Sequence, residues 1–142
     1  MTRVLLIDDE QPFVETLAKR LDKRGITILK AFTGQDGLDV LVENPGVEVV
    51  ILDVKMPGLD GIETLRRIKA SHPLVEVIML TGHGTVETAI DGMKEGAFDY
   101  LLKPCEMDDL MQKISEASMR KGQASARIDE AEAQLIALRR GD

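Results

Sequence analysis

The 142-residue sequence contains one cysteine, Cys105, so neither an intrachain disulfide nor a cysteine-built zinc cluster can form. It lacks an excess of basic charge: 18 Lys and Arg stand against 25 Asp and Glu, for a formal charge of −7 and a pI near 4.9. That balance argues against direct binding to nucleic acid or to an anionic membrane surface. No apolar run approaches the roughly 20 residues of a membrane span, and the N-terminus has no apolar core of a secretion signal. Internal repeats and low-complexity tracts are also missing. What is left is the profile of a cytoplasmic globular chain, 44% hydrophobic and long enough to bury a substantial core in one domain.

The stretch that organises the rest is Glu48-Val49-Val50-Ile51-Leu52-Asp53, followed by Val54-Lys55-Met56-Pro57-Gly58-Leu59-Asp60-Gly61. Four consecutive apolar residues are too few for a helix. Rich in β-branched side chains and flanked by turn formers, they predict a strand buried on both faces. Pro57-Gly58 makes a turn, and Asp60 with Glu63 three residues later has the pattern of a helix capping box. Val4 to Ile7 is a second such strand, ending in Asp8-Asp9-Glu10. Pro12 suits the first turn of a helix carrying Val14, Leu17, Ala18 and Leu21, which Gly25 stops. A looser strand over Ile26–Phe32 precedes a helix with Leu38, Leu41 and Val42. Ile62, Leu65 and Ile68 mark a third helix, and Val75–Leu80 a fourth strand. Val86, Ala89, Ile90 and Met93 mark a fourth helix, Phe98–Leu102 a fifth strand, and Leu110, Ile114 and Ala117 a fifth helix. Strands alternating with helices across short crossovers predict an α/β fold: a doubly wound, five-stranded parallel sheet of flavodoxin-like order 2-1-3-4-5.

Polar chemistry collects where those strands end. Asp8-Asp9, Asp53, Thr81 and Lys103 each close a strand, and in a parallel sheet those ends share one edge, the edge at which ligands bind. Crowded carboxylates resist ionisation unless a cation neutralises them. Oxygen donors without His or Cys select Mg2+, or Mn2+, over zinc. With a hydroxyl and an ammonium group added, such a site can surround a phosphoryl group. A central carboxylate can itself be the nucleophile, and Asp53 is the central one. Competing bland readings are a solvated turn for Asp8-Asp9, a surface lysine at Lys103, and plain core packing for Tyr100. Gly82 and Gly84 do not have the spacing of a P-loop.

The segments LLIDDEQ, ILDVKMPGLDG, MLTGHG and AFDYLLKP, in that order, resemble the receiver domain of two-component response regulators over roughly residues 2–120. The resemblance implies the (βα)5, CheY-like form of the fold and Mg2+-dependent transfer of a phosphoryl group to Asp53 from a sensor histidine kinase or phosphotransfer protein. It implies that Asp9, Asp53 and the backbone carbonyl of Lys55 ligate the metal, with Asp8 acting largely through water. Thr81 and Lys103 would contact the phosphoryl group, and Tyr100 would stand at the switch position. The bond before Pro104 would be cis, and the Lys55 and His83 side chains would tune hydrolysis. It further implies switching of the surface built from the fourth helix, fifth strand and fifth helix. This is a signalling module and not an enzyme in the ordinary sense. The rival readings are a metal-dependent phosphohydrolase with an aspartyl nucleophile and a flavin- or nucleotide-binding protein. The hydrolase would need an acid where Lys55 stands; the flavin protein would need a neutral loop in place of Asp8-Asp9-Glu10.

The receiver is expected to occupy residues 1–120 and a C-terminal helical or partly disordered tail residues 121–142. The chain reads either as a stand-alone receiver or as part of a larger transcriptional regulator. From Met107 through Leu110, Ile114, Ala117, Lys121, Ala124, Ile128, Ala131, Leu135 and Leu138, steps of three and four form a heptad register across the domain end. Two outcomes are open. The tail folds back at Gly122, or it pairs with a second chain and, together with the face of the fourth helix, fifth strand and fifth helix, supports a homodimer. A frayed tail is the competing expectation, since isolated helices of this length are marginal.

Overall fold

The computed structural model describes residues 2–82 and 84–139, the last of these for its backbone only. Five strands alternate with five helices: β1 (Arg3–Ile7), α1 (Gln11–Asp22), β2 (Thr27–Ala31), α2 (Gly34–Glu43), β3 (Val49–Leu52), α3 (Gly61–Ser71), β4 (Glu76–Thr81), α4 (Val86–Lys94), β5 (Asp99–Leu102) and α5 (Met107–Arg139). The strands are all parallel and lie in the order β2-β1-β3-β4-β5. This is the doubly wound sheet expected from the alternation of short apolar runs with helical periodicity. Among the described residues no helix is long and apolar enough to cross a membrane.

Alternation along each strand divides the core in two. Leu5, Ile7, Val50, Leu52, Val77 and Met79 face the side covered by α2 and α3, where Leu41, Leu65 and Ile68 meet them. Val4, Leu6, Val49, Ile51, Ile78 and Leu80 face α1 and α5, whose Val14, Leu17, Leu21, Leu110, Ile114 and Ala117 cover them. Both faces of β3 and β4 are therefore dry, which is why those segments read as unbroken apolar runs.

Some apolar positions used to mark helices do not enter the core. Val42 is 72% exposed, because the buried side of α2 runs through Gly34, Gly37 and Leu41. On α4 the only buried residue is Gly92, while Val86, Ile90 and Met93 are exposed. Asp60 caps α3, accepting a hydrogen bond from the Glu63 N–H at 2.9 Å, yet Glu63 returns no bond to Asp60; its carboxylate pairs with Arg66 and Arg67. Gly122 does not interrupt α5, which continues through it as one helix.

Gly61 couples this packing to the edge of the sheet. Its N–H donates to the Val54 carbonyl at 2.8 Å, and a Cβ at this position would lie 2.6 Å from the Val54 Cα and closer still to the Asp53 carbonyl oxygen. Backbone atoms cannot swing aside as a side chain can. We expect Gly61→Ala to cost at least about 2 kcal/mol, seen as a fall in Tm of about 4–8 °C. An unchanged Tm would mean that this contact is not tight.

Candidate functional site

β1 and β3 pair in register, Ile7 against Leu52, so the next residue of each strand, Asp8 and Asp53, comes out side by side at the carboxyl edge. The ladder continues past the strands. The N–H of Asp8 donates to the Ala31 carbonyl at 3.1 Å, that of Asp53 to the Ile7 carbonyl at 3.0 Å, and that of Lys103 to the Thr81 carbonyl at 2.9 Å. Backbone pairing thus fixes three chemically active residues just beyond the sheet. Thr81, the last residue of β4, is fully buried beside them.

Asp8 and Asp53 are each only 1% exposed. Asp8 Oδ1 accepts the Glu10 N–H at 2.9 Å, and its Oδ2 accepts from Lys103 Nζ at 2.7 Å. The same ammonium donates to Glu10 Oε1 at 3.2 Å and lies 4.0 Å from the centroid of the Phe13 ring. Asp53 Oδ1 accepts the Val54 N–H at 2.8 Å. Its Oδ2 is buried and has no hydrogen-bond partner among the described residues. A buried carboxylate oxygen without a donor is costly and is rarely kept without a use.

Burial is the largest influence on Asp8 and raises its pKa. The hydrogen bonds from Lys103 and from the Glu10 N–H pull it down and the charge of Asp53 pushes it up, leaving it above the ordinary carboxyl value. Burial works the other way on Lys103, but the hydrogen bond and charge of Asp8, with Asp53 and Glu10 behind them, outweigh it and raise the ammonium.

Oxygens of Asp8, Glu10 and Asp53 all lie within 4.8 Å of one another. Three carboxylates against the single ammonium of Lys103 leave two negative charges, the complement of a divalent cation. The donors are all hard oxygens, and one of them is the unpartnered Oδ2 of Asp53. This set fits Mg2+ and does not suit zinc.

The structure places the sequence-derived residues unevenly. Asp8, Asp53, Thr81 and Lys103 share the carboxyl edge. Asp9 and Glu10 are both exposed, and of the two it is the Glu10 carboxylate that lies close to those of Asp8 and Asp53. Its signal was available only as a third consecutive acid after β1. The Lys55 side chain is exposed. Tyr100 sits half-buried at the margin of the core, its hydroxyl 2.8 Å from Thr88 Oγ1 on α4. The peptide bond between Lys103 and Pro104 is cis. His83 lies outside the described residues.

Comparison with known proteins agrees with this architecture. Residues 4–115 match the family described as response regulator receiver domain. The chain is 40% identical over 138 residues to the transcriptional regulatory protein FixJ of Bradyrhizobium diazoefficiens, covering 96% of this chain and 65% of FixJ. It is 33% identical over 130 residues to the transcriptional regulatory protein ZraR of Salmonella typhimurium, covering 92% of this chain and 29% of ZraR. The chain thus spans less than two thirds of these curated relatives. A crystal structure of a response regulator receiver domain protein from Clostridium thermocellum superposes with a TM-score of 0.83 at 42% identity, covering 87% of this chain and 99% of that one.

The raised Asp8 carboxyl has a definite linkage sign. Its contribution to stability is complete below the unfolded carboxyl pKa of about 3.9 and is lost as pH rises through the higher folded value. In metal-free protein we therefore expect Asp8→Asn to raise Tm at pH 7.5. The gap should close as pH falls toward the carboxyl range. A Tm below wild type at pH 7.5 would show that the Lys103 pairing outweighs burial.

Proposed function

The chain belongs to the response regulator receiver family, a set of two-component signalling modules phosphorylated by histidine kinases, and from that premise we propose that Asp53 is its phosphoacceptor. The observation that carries this assignment is the unpartnered, buried Oδ2 of Asp53, set between Asp8 and Thr81 and within the field of Lys103. In the proposed reaction an Asp53 carboxylate oxygen attacks the phosphorus of a phosphohistidine. A P–O bond forms, the P–N bond breaks, and the leaving imidazole nitrogen keeps the electron pair and takes up a proton. The protein contributes position and charge neutralisation, and the donor supplies the driving force.

Lys103, already lodged between Asp8 and Glu10, is assigned to the incoming phosphoryl oxygens, and the Thr81 hydroxyl to another of them. Metal loading is assigned to the carboxylates of Asp9 and Asp53 and the carbonyl of Lys55, with Asp8 largely through water. The cluster of Asp8, Glu10 and Asp53 on this edge supports a cation there, and Asp9 is the residue between the first two. A divalent cation bound there supplies neutralisation of the charge that develops on the phosphoryl oxygens. The side chains of Lys55 and His83 are assigned to tuning the lifetime of the acyl phosphate.

Phosphorylation is read out through Tyr100. The negative charge draws Thr81 inward, and Tyr100 turns into the space left, giving up its contact with Thr88 Oγ1. That biases the face made by α4, β5 and α5 between two states. The face already carries exposed apolar groups at Val86, Ile90, Met93 and Leu102, suited to a protein partner or a second copy. The named relatives are transcriptional regulatory proteins, and we place this receiver in the cytoplasm with a transcriptional output of that kind.

Incubation with Mg2+ and a small acyl phosphate, followed by intact-mass measurement, tests the assignment. Wild type should gain one phosphoryl group and Asp53→Asn none, while both keep the same circular dichroism spectrum. Full labelling of the variant on another residue would overturn it. The ligand set is tested separately. Mg2+ should raise the Tm of wild type and of Glu10→Gln, and that rise should shrink by at least about half in Asp9→Asn. If Glu10→Gln loses the rise and Asp9→Asn keeps it, Glu10 is the ligand.

A further inference from the structure

Little apolar packing holds α4 to the receiver. Gly92 is its only buried residue, and Val86, Ile90 and Met93 are exposed. Thr88 and Gly92, four residues apart, lie on one side of the helix, and Tyr100 of β5 runs along that side. A Cβ on Gly92 would stand 3.6 Å from Tyr100 Cδ2. One on Gly84, in the loop that leads into α4, would stand 3.2 Å from both Cε1 and the hydroxyl of Tyr100. The ring thus lies between two residues that have no side chain. Packing on those sides leaves it room to turn, and the group that fixes its direction is the hydroxyl, 2.8 Å from Thr88 Oγ1.

The same Thr88 oxygen already serves the start of α4. Thr85 Oγ1 accepts the Thr88 N–H at 3.1 Å, and Thr88 Oγ1 accepts the Thr85 N–H at 3.0 Å, a closed capping box. A threonine hydroxyl carries one hydrogen and two lone pairs. One lone pair takes the Thr85 N–H, and the hydrogen has the carbonyl and the hydroxyl of Thr85 in reach, both at 3.1 Å. The second lone pair is the one that meets Tyr100. The capping box therefore fixes the Thr88 side chain independently of Tyr100, so the bond between the two hydroxyls needs little further ordering on the α4 side.

We propose that Thr88 is a positioning residue for phosphorylation: it holds Tyr100 outward in the resting chain and so sets how strongly the receiver favours its unphosphorylated state. This rests on the reading of Tyr100 as the group that turns inward, and adds to it the residue that opposes the turn. Tyr100 must give up the bond to Thr88 before it can move. The inward conformation is thereby depopulated by the worth of one side-chain hydrogen bond, about fivefold. A phosphoryl group or its mimic that requires the inward conformation is held more weakly by the same factor, because only that fraction of the chain is competent to receive it.

The chain has one tyrosine and no tryptophan, so the ultraviolet fluorescence of the unphosphorylated, metal-free protein reports on Tyr100 alone. Thr88→Val nearly keeps the shape of the side chain and removes the hydroxyl. Acrylamide should quench this variant less than wild type, because the ring moves in, and should quench Thr88→Ser as it does wild type. Equal or stronger quenching of Thr88→Val would overturn the proposal. Affinity for beryllofluoride with Mg2+, a phosphoryl mimic followed by fluorine NMR, should rise about fivefold in Thr88→Val. In a Tyr100→Phe background the same substitution should leave that affinity unchanged. An equal gain in that background would show that Thr88 acts through the helix cap, and would overturn the proposal. The quenching measurement does not involve Asp53. Beryllofluoride that binds none of the proteins, with the quenching difference intact, would count against the Asp53 site and leave the role of Thr88 standing.

Discussion

The contact on which the site depends is the ion pair between Lys103 and Asp8, two residues 95 positions apart in the chain. Lys103 leaves the end of β5, at one margin of the sheet, and reaches past the ends of β4 and β3 to a carboxylate on β1. Its side chain is 12% exposed and that of Asp8 2%. Removing two charges from water at such a place costs several kcal/mol per ion, and the attraction between them offsets this only with good geometry and further partners. Those partners are present: Glu10 takes a second ammonium proton, Phe13 offers its ring face, and the Glu10 N–H satisfies the other oxygen of Asp8. Without Lys103, three carboxylates would face one another with no countercharge. With it, the edge still carries surplus negative charge and one unsatisfied oxygen. The surplus charge and the orphan oxygen are the features that a cation or a phosphoryl group would engage.

That tension is maintained by backbone geometry more than by side chains. The hydrogen-bond ladder extends one residue beyond the strands at Asp8, Asp53 and Lys103, so none of the three can retreat toward solvent without breaking a main-chain bond. Gly61 presses the start of α3 against Val54 and closes the other side of Asp53. A site built this way keeps its orphan oxygen in place because moving it would disturb the sheet, where most of the hydrophobic burial lies. Local strain at a functional residue is tolerated when the surroundings over-determine it.

The same reasoning explains what could be read from the residues beforehand. The rule that parallel strands present their carboxyl ends on one edge needs only strand order and direction, and both follow from apolar runs alternating with helical periodicity. Asp8, Asp53, Thr81 and Lys103 were legible for that reason. That the Glu10 carboxylate, and not that of Asp9, lies near Asp8 and Asp53 was not, because the residues after Asp8 lie outside the ladder and their direction depends on the Asp8 to Glu10 hydrogen bond and on the reach of Lys103. Val42, Val86, Ile90 and Met93 marked their helices correctly but are exposed, since periodicity marks a helix without saying how wide a face its neighbours can cover. The Asp60 cap was readable as a donor–acceptor pair. The fate of the Glu63 carboxylate was not, because Arg66 and Arg67 compete for it with full charges. Gly122 weakens a helix by only about 1 kcal/mol, too little to stop one already propagating from a packed segment.

α5 joins the two ends of the molecule. Lys113 pairs with Asp99 Oδ2 at 3.0 Å, while Asp99 Oδ1 accepts the N–H of Tyr100 at 2.7 Å. The residue beside Tyr100 is therefore tied to the middle of the packed part of the helix. Two turns later Arg120 stands against Glu76, the first residue of β4, whose last residue is Thr81. α5 is thus attached to both β4 and β5, at points on either side of Ile114 and Ala117. A helix held at two places along its length moves as a rod, and a small tilt at the attachment is magnified with distance along it. The helix continues for 19 residues beyond Arg120, about 28 Å at helical rise. A shift at β4 and β5 too small to repack the core would displace Leu138 several times further than Ala117.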